Sequence, residues 1–571
     1  MIKSRFQRLW SGEATSFAVL FALLTALCGL PLLLLFHVGL TDETGLTLVR
    51  ITEALESRSV RRALWHSLES AFLSALLATA IGTLLALTIG LTDLRRKGII
   101  IFLILLPMMI PPHVTAIAWT QAMGPGSPIL QWLGIAPEIG STHPLYSREG
   151  LVLVLAVQHM PLVFLLVRAN LRAFPRELSD AARTSGASPL RMMRTVMLPL
   201  TAPTMLAGFI LAFVAALGNF GINALLGIPA RYTTLPVLIW RRLSSFGPDV
   251  LADMAVIAVI LATITIAILA VQFVLQRNMR NALIGAPQAP LHYRLGMTRG
   301  WVESGLWLFI ALTLGLPLAS LLGTALVKTY GIGLSPETVT LENFREILFA
   351  QNVTLRAFVN STLLAVSAAL FIAAAAIMTG YALVLRRGTA RRAAMTLAGQ
   401  SEIAFAVPGI VISVAFILLF IKPLPLVNVS LYGTSMIIML AYIAAFTAIG
   451  LKPVTAAYLQ MDGSLEDAAR ISGAGYLRRM RRIFAPLVAP AAASGAILVF
   501  LTAYNEVTVS ALLWSSGNET IGTVIFNYED GGYTTLAAAM SAVVVAATIA
   551  IMFVMNRLAD HVPHGTIPWR D

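Results

Sequence analysis

The sequence predicts an all-α integral membrane protein of about twelve transmembrane helices, built as two parallel six-helix repeats. Three observations carry this. Of 571 residues, 58% are hydrophobic and only 12% charged, where a soluble domain carries about 25% charged. Apolar runs of about 20 residues, each long enough to cross ~30 Å of hydrocarbon as a helix, recur along the whole length. Finally, one polar, basic stretch is written twice, at 178–203 (LSDAARTSGASPLRMMRTVMLPLTAP) and 465–490 (LEDAARISGAGYLRRMRRIFAPLVAP), at a constant offset of 287 and with 16 of 26 positions identical. In lipid the backbone must satisfy its own polar groups, and runs of this length do so as helices.

In chain order, Lys3, Arg5 and Arg8 precede a first apolar run over 16–40, too long for a signal-peptide core, which places the N-terminus on the cytoplasmic side. A second span is expected over 67–91, followed by the basic turn Asp93-Leu-Arg-Arg-Lys-Gly98. The third, 99–122, contains Pro107, Pro111 and Pro112, which kink a helix and free carbonyls for neighbouring helices to satisfy. The fourth, 151–167, delivers the chain to the first basic stretch; spans five and six follow over 205–227 and 250–274. The second half repeats this with spans over 301–327, 358–385, 395–421, 435–456, 491–513 and 536–556, and its turn Arg386, Arg387, Arg391, Arg392 matches the basic turn of the first. The halves are therefore 1–276 and 301–571, joined by a cytoplasmic linker, 277–300. An even number of spans per half makes them parallel repeats about an axis along the membrane normal.

The net charge of +13 lies mostly in short loops between apolar runs, as the positive-inside rule requires, so nucleic acid is not an expected partner and the lipid bilayer is. A single cysteine, Cys28, excludes an internal disulfide and a cysteine metal site. None of the five lysines (Lys3, Lys97, Lys328, Lys422, Lys452) follows a glycine, so no phosphate-cradling Walker loop is present, and no nucleophile elbow or zinc-protease motif occurs. The chain has no catalytic residues of its own.

In each basic stretch, small residues at helical spacing (Leu178, Ala181, Ala182, Ser185) form a face that another backbone can approach closely. Asp180 and Asp467 favour a helix start, Gly186 and Gly473 end it, and Pro199 and Pro486 close a second helical segment carrying Arg191 and Arg194, or Arg478 and Arg481. A basic helix resting on anionic headgroups is the simpler alternative, but lipid attraction does not need Gly, Ala-Ala and Pro at fixed spacing in two copies.

These stretches resemble the EAA motif of ABC importer permeases: Glu-Ala-Ala, three residues, Gly, about nine residues, then an apolar residue and Leu-Pro. Asp180-Ala181-Ala182 with Gly186 and Leu198-Pro199 matches it, and so does Asp467-Ala468-Ala469 with Gly473 and Ala485-Pro486. Asp stands for Glu in both copies and Ala485 for Leu in the second. The resemblance implies a type I importer permease with two fused halves in a bacterial inner membrane. Its loops (172–203 and 457–490) would be coupling helices seated on two copies of a cytoplasmic ATPase, which binds ATP and Mg, while an extracytoplasmic binding protein delivers substrate. Fused permeases of this layout resemble ferric-iron importers, with 2-aminoethylphosphonate, thiamine or polyamine as alternatives. An ion-coupled secondary transporter would also explain the repeat, but not the paired loops.

For a translocation pathway the sequence offers polar residues within spans, which are expensive unless they face a cavity or a partner. Asn219 and Glu506 are equivalent at the offset of 287, beside Asn505. Glu506 is either a gate or substrate contact, or it reaches the outer headgroups or pairs with Arg241. Pro112-His113 is set against Pro408-Gly409 as a break in each third span, with His113 either lining the path or satisfied structurally. Glu402 is similarly open, and Met108-Met109 reads as packing. No metal site is expected.

Overall fold

The computed structural model describes residues 12–42, 45–138, 140–172, 174, 176–243, 245, 249–278, 293–424 and 428–558. The linker expected over 277–300 lies outside the described residues from 279 to 292.

Among the described residues, ten helices are long and apolar enough to cross a membrane, and counting each of two bent pairs as one span brings the number to twelve. In the first half the straight spans are Thr15–Leu40, Arg58–Leu91, Arg148–Arg172, Met193–Leu217 and Val250–Leu275. In the second they are Gly296–Ala325, Asn352–Leu385, Ser435–Leu459, Tyr476–Tyr504 and Thr534–Val554. The third and ninth spans are the broken ones: Lys97–Met109 turns through 106° into Pro112–Trp132, and Thr389–Ala406 through 113° into Gly409–Phe420.

These breaks are sharper than the kink the prolines predict, and their register differs by one residue from the expected one. Pro111 (φ −54°, ψ 138°) and Pro408 (φ −51°, ψ 138°) occupy the same place before the second helical piece, so Pro111, not Pro112, is the counterpart of Pro408. Each is preceded by an extended residue, Ile110 or Val407, as the ring of a following proline demands. Two consecutive extended residues end one helix and re-aim the next. The carbonyls so freed find a neighbour: Gln158 Nε2 donates to Pro107 O (3.0 Å) and Ile110 O (3.2 Å) from the fourth span.

Pro199 and Pro486 do not stop or bend their helices either. Each stands two residues after a five-residue π turn, Met193–Met197 or Met480–Phe484, with the Leu198 N–H reaching back to Met193 O and the Ala485 N–H to Met480 O. The wider turn makes room for a residue with no N–H inside a continuous helix.

Spans two, four and five pack together as the core of the first half, and eight, ten and eleven as that of the second. Small residues permit this closeness: a Cβ on Gly82 would sit 2.8 Å from Met160 O, and one on Gly450 2.4 Å from Ile372 Cγ2. The opening span of each half then leaves its own core. The first span packs on the sixth, ninth and tenth, and the seventh packs on the third and twelfth. Each half wraps an arm around the other.

Tyr293 pairs with the turn after the second span. The Tyr293 N–H donates to Leu91 O (2.7 Å) and the Asp93 N–H to Tyr293 O (3.2 Å). The Asp93 carboxylate accepts from Leu295 N–H (2.9 Å) and from Arg299 Nη2 (2.6 Å). These contacts hold the Asp93 carboxyl below the usual carboxylate range, the Leu295 bond contributing most.

Candidate coupling helices and central seam

The duplicated stretches form the same structure twice. Helix Arg176–Thr184 and helix Ser464–Ile471 each project between two spans. Both end in a left-handed glycine, Gly186 at φ +75° and Gly473 at φ +72°. The Ala187 N–H reaches back to Ala182 O (3.0 Å) and the Ala474 N–H to Ala469 O (3.1 Å), the six-to-one bond that such a terminus makes. Ser185 Oγ and Ser472 Oγ donate to Ala181 O (2.8 Å) and Ala468 O (2.9 Å). Asp180, Ala181, Asp467 and Ala468 are exposed, Ala182 is half-buried and Ala469 is buried. Beside them Leu465, Ile471 and Leu477 stand 41%, 87% and 76% exposed. On a surface that faces water, such apolar side chains mark a contact site.

One expectation changes. Asp180 lies past the first turn of its helix, where Glu177 sits, so it is not the cap. In the second copy Asp467 does stand in the first turn, and just ahead of it Asp462 Oδ1 receives the Ser464 N–H at 2.9 Å.

The second candidate region is the seam between halves. After Leu217 and after Tyr504 the fifth and eleventh spans break, and short helices Gly221–Gly227 and Ser510–Leu513 follow. Asn219 Oδ1 accepts the Ile222 N–H at 3.0 Å. Its counterpart Glu506 accepts the Val509 N–H at 2.8 and 2.9 Å and the Ser510 N–H at 3.3 Å. Both side chains therefore start the short helix after the break, a shared job that the offset alone did not disclose. Arg241, the partner considered for Glu506, instead donates to Thr233 Oγ1 at 3.4 Å.

Across the seam, break meets break. Asn505 Nδ2 donates to Met109 O (3.3 Å), and a Cβ on Gly218 would lie 3.1 Å from Pro408 Cβ. Gly218 and Asn505 are themselves equivalent at the offset of 287. Toward the outer side Phe220, Trp240 and Phe526 close on one another, with ring centroids 5.4–5.9 Å apart. This inter-half aromatic cluster carries no motif and was missed from the sequence.

His113 is buried, with its backbone against Gly221. Neither of its ring nitrogens, nor Asn223 Oδ1 and Asn505 Oδ1, has a hydrogen-bond partner among the described residues. A satisfied structural histidine is thus not what the third-span break contains. Glu402 pairs with Lys452 Nζ at 3.1 Å, both side chains half-exposed. Among the described residues no group of His, Cys, Asp and Glu is arranged to hold a metal ion.

Two repeated membrane-spanning halves that meet at a seam, each with an exposed helix between its fourth and fifth spans, have the build of a transport permease. The family described as "Binding-protein-dependent transport system inner membrane component" matches residues 78–281 and again 372–567. The chain belongs to that family: it is an ABC importer permease with two fused halves. It is 24% identical to a probable ABC transporter permease protein of Sinorhizobium fredii over 534 residues, covering 89% of this chain and 90% of that one. It is 23% identical over 460 residues to the ferric transport system permease protein FbpB of Actinobacillus pleuropneumoniae (79% and 64% covered). Against the molybdenum transport system permease protein ModB of Haemophilus influenzae it is 31% identical over 207 residues, 35% of this chain and 87% of that one. Such a chain is the translocation subunit; ATP hydrolysis belongs to a separate subunit and substrate arrives on a binding protein. Membership of this family removes the ion-coupled secondary transporter.

Proposed function

We propose that this chain conducts ferric iron across a bacterial inner membrane, taking it from an extracytoplasmic binding protein while two copies of one ATPase dock on helices Arg176–Thr184 and Ser464–Ile471. The observation that carries the docking reading is the pair of equivalent helices, each ended by a left-handed glycine and each presenting an exposed Asp-Ala pair to water. Asp180, Ala181, Ala182, Gly186 and Pro199, with Asp467, Ala468, Ala469, Gly473 and Pro486, are the docking and transmission residues. Supporting iron, similarity to the ferric permease runs through both halves. Molybdate is the second reading, favoured by the higher identity to ModB within one half.

The pathway runs along the seam, where Asn219, Asn505, Glu506, Pro112, His113 and Pro408 lie. Unpartnered buried polar atoms there are costly in a static core and serve a route that passes polar cargo. Glu402, paired with Lys452, lines its inner approach, since such pairs within a membrane face water-filled cavities. Uptake of radioactive ferric iron and of molybdate, by cells with and without this chain and with ATP depleted, tests the reading. ATP-dependent iron uptake lost on deletion is expected, and loss of molybdate uptake alone would transfer the assignment.

A further inference from the structure

The two docking helices are built alike but anchored differently. In the second, Glu466 lies inside the helix at 5% exposure, next to the exposed Asp467. Its Oε1 accepts from Tyr381 Oη at 2.7 Å and from Arg470 Nε at 2.8 Å. Its Oε2 stands 3.3 Å from Arg479 Nε. Arg479, 6% exposed, also donates through Nη1 to Ala474 O at 2.8 Å. One carboxylate thus joins three pieces of the machine: the docking helix, the inner end of the eighth span through Tyr381, and the start of the eleventh span through Arg479. The first span of the other half closes over this junction, with the Phe17 ring 6.1 Å from that of Tyr381 and 5.3 Å from that of Tyr476.

The first half does not possess these groups. At the offset of 287, Ser179 stands for Glu466 and Met192 for Arg479, and Leu87 occupies the place of Tyr381 near the end of its span. Position 192 makes a softer contact instead, Tyr293 Oη to Met192 Sδ at 3.4 Å. A buried carboxylate held by two hydrogen bonds and an ion pair fixes the orientation of the helix that carries it, because any tilt strands a desolvated charge. A methionine contact has no such angular requirement.

We infer that Glu466 is a positioning residue that makes helix Ser464–Ile471 a rigid lever on the membrane body, so that the two halves receive the ATPase stroke unequally. The inference rests on the reading that this helix seats an ATPase. Force applied at Ser464–Ile471 passes through Glu466 to the eighth and eleventh spans, and along the eleventh to the break at Asn505. The corresponding helix of the first half has no carboxylate at the matching position, Ser179, to carry force by this route.

The test uses the full chain in complex with its ATPase, and a readout that needs no knowledge of the cargo. Phe220→Cys, in a Cys28→Ser background, places one thiol in the outer aromatic cluster. Its reaction with a membrane-impermeant maleimide is compared before and after trapping with ATP and vanadate. Into this chain go Glu466→Ser and Arg479→Met together, the residues the first half already uses, so that no buried charge is left alone. The expected result is a complex that still holds its ATPase but in which the ATP-dependent rise in labelling falls at least fivefold. Should the double variant not fold, Tyr381→Phe keeps the packing, removes one bond to the carboxylate, and is expected to lower the rise about twofold. An unchanged rise in either folded variant overturns the lever. A parent complex that retains no ATPase, or shows no rise at all, overturns the docking reading beneath it, and is distinguishable because it needs no substitution at Glu466.

Discussion

Asn505 of the second half gives its side-chain amide to the carbonyl of Met109 in the first, 3.3 Å away across the seam. At the equivalent place Gly218 faces Pro408, with no side chain to give. The two contacts are the same meeting of a fifth-span break with the opposite third-span break, polar on one side of the pseudo-twofold axis and a bare van der Waals approach on the other.

The bare side leaves the least room. A Cβ on Gly218 would lie 3.1–3.4 Å from three Pro408 atoms, and one on Gly221 2.9–3.1 Å from the backbone and Cβ of His113. Gly221 and His113 belong to the same half, so Gly221→Ala meets backbone that cannot swing aside. It is expected to destabilise the packing of the fifth-span break on the third-span break within the first half by about 1–3 kcal/mol. Thermal unfolding of the purified complex reads this. Gly218→Val is expected to hold the halves apart and abolish ATP-dependent uptake in folded protein.

At the docking helices the spatial argument reverses. Nothing lies within 4 Å of a Cβ on Gly186 or Gly473, so space is not what requires glycine there; positive φ is. Alanine at either position costs roughly 1 kcal/mol of local backbone strain and is expected to leave the ATPase bound. Leucine at both should release the ATPase while the melting temperature moves only a few degrees. Co-purification of the tagged chain with its ATPase measures it, and retention by the double-leucine protein would remove the coupling assignment.

Glu506 and Asn219 receive the same N–H, three residues on. If capping is what Glu506 contributes to the closed seam, Glu506→Asn places the first half's residue in the second half and should keep most of the uptake. Glu506→Ala should lose about 0.5–2 kcal/mol. Uptake that collapses in the asparagine variant, with stability preserved, would instead give the carboxylate a direct part in moving cargo.

The clip between Asp93 and the 293–299 segment has a pH signature. Its carboxyl is held low in the folded chain, by Leu295 first and by Arg299. A depressed folded value means the contribution is present above the unfolded carboxylate value, about 3.9, and is lost as pH falls through the folded one. Asp93→Asn is therefore expected to melt earlier than the parent at neutral pH, with the difference closing below about pH 4. Melting curves of both proteins across that range check the sign.

What the sequence disclosed and what it hid follow from how far each feature reaches along the chain. Hydropathy disclosed the number and order of the spans, because lipid imposes its demand on every helix locally, but it set the fifth and eleventh too late. They run Met193–Leu217 and Tyr476–Tyr504 rather than over 205–227 and 491–513, since apolar short helices beyond each break read as part of the span. Gly186 and Gly473 were legible because a left-handed terminus is a property of a few adjacent residues. The register of Pro111 against Pro408 was not, since three nearby prolines offer rival alignments and only the paired extended residues choose between them. Asp180 likewise read as a helix start, because nothing local revealed the earlier turn that holds Glu177. Glu466 was hidden more deeply. Beside Asp467 it looks like one of two interchangeable acids, and only folding brings Tyr381 to it from 85 residues away.

The exchange of opening arms sets a timetable for biogenesis. Cys28, in the first span, ends with its Sγ against the Ala444 carbonyl, a partner 416 residues further on. At about 5–20 residues per second, the ribosome needs roughly 20–80 s to supply that neighbour. Until the second half follows, the first span has, among the described residues, only the sixth span of its own half to pack on, and its sequence suits it to that wait, being apolar on every side. Once the tenth span arrives and the arm docks, the two halves are interlocked, and neither can be withdrawn from the membrane without the other.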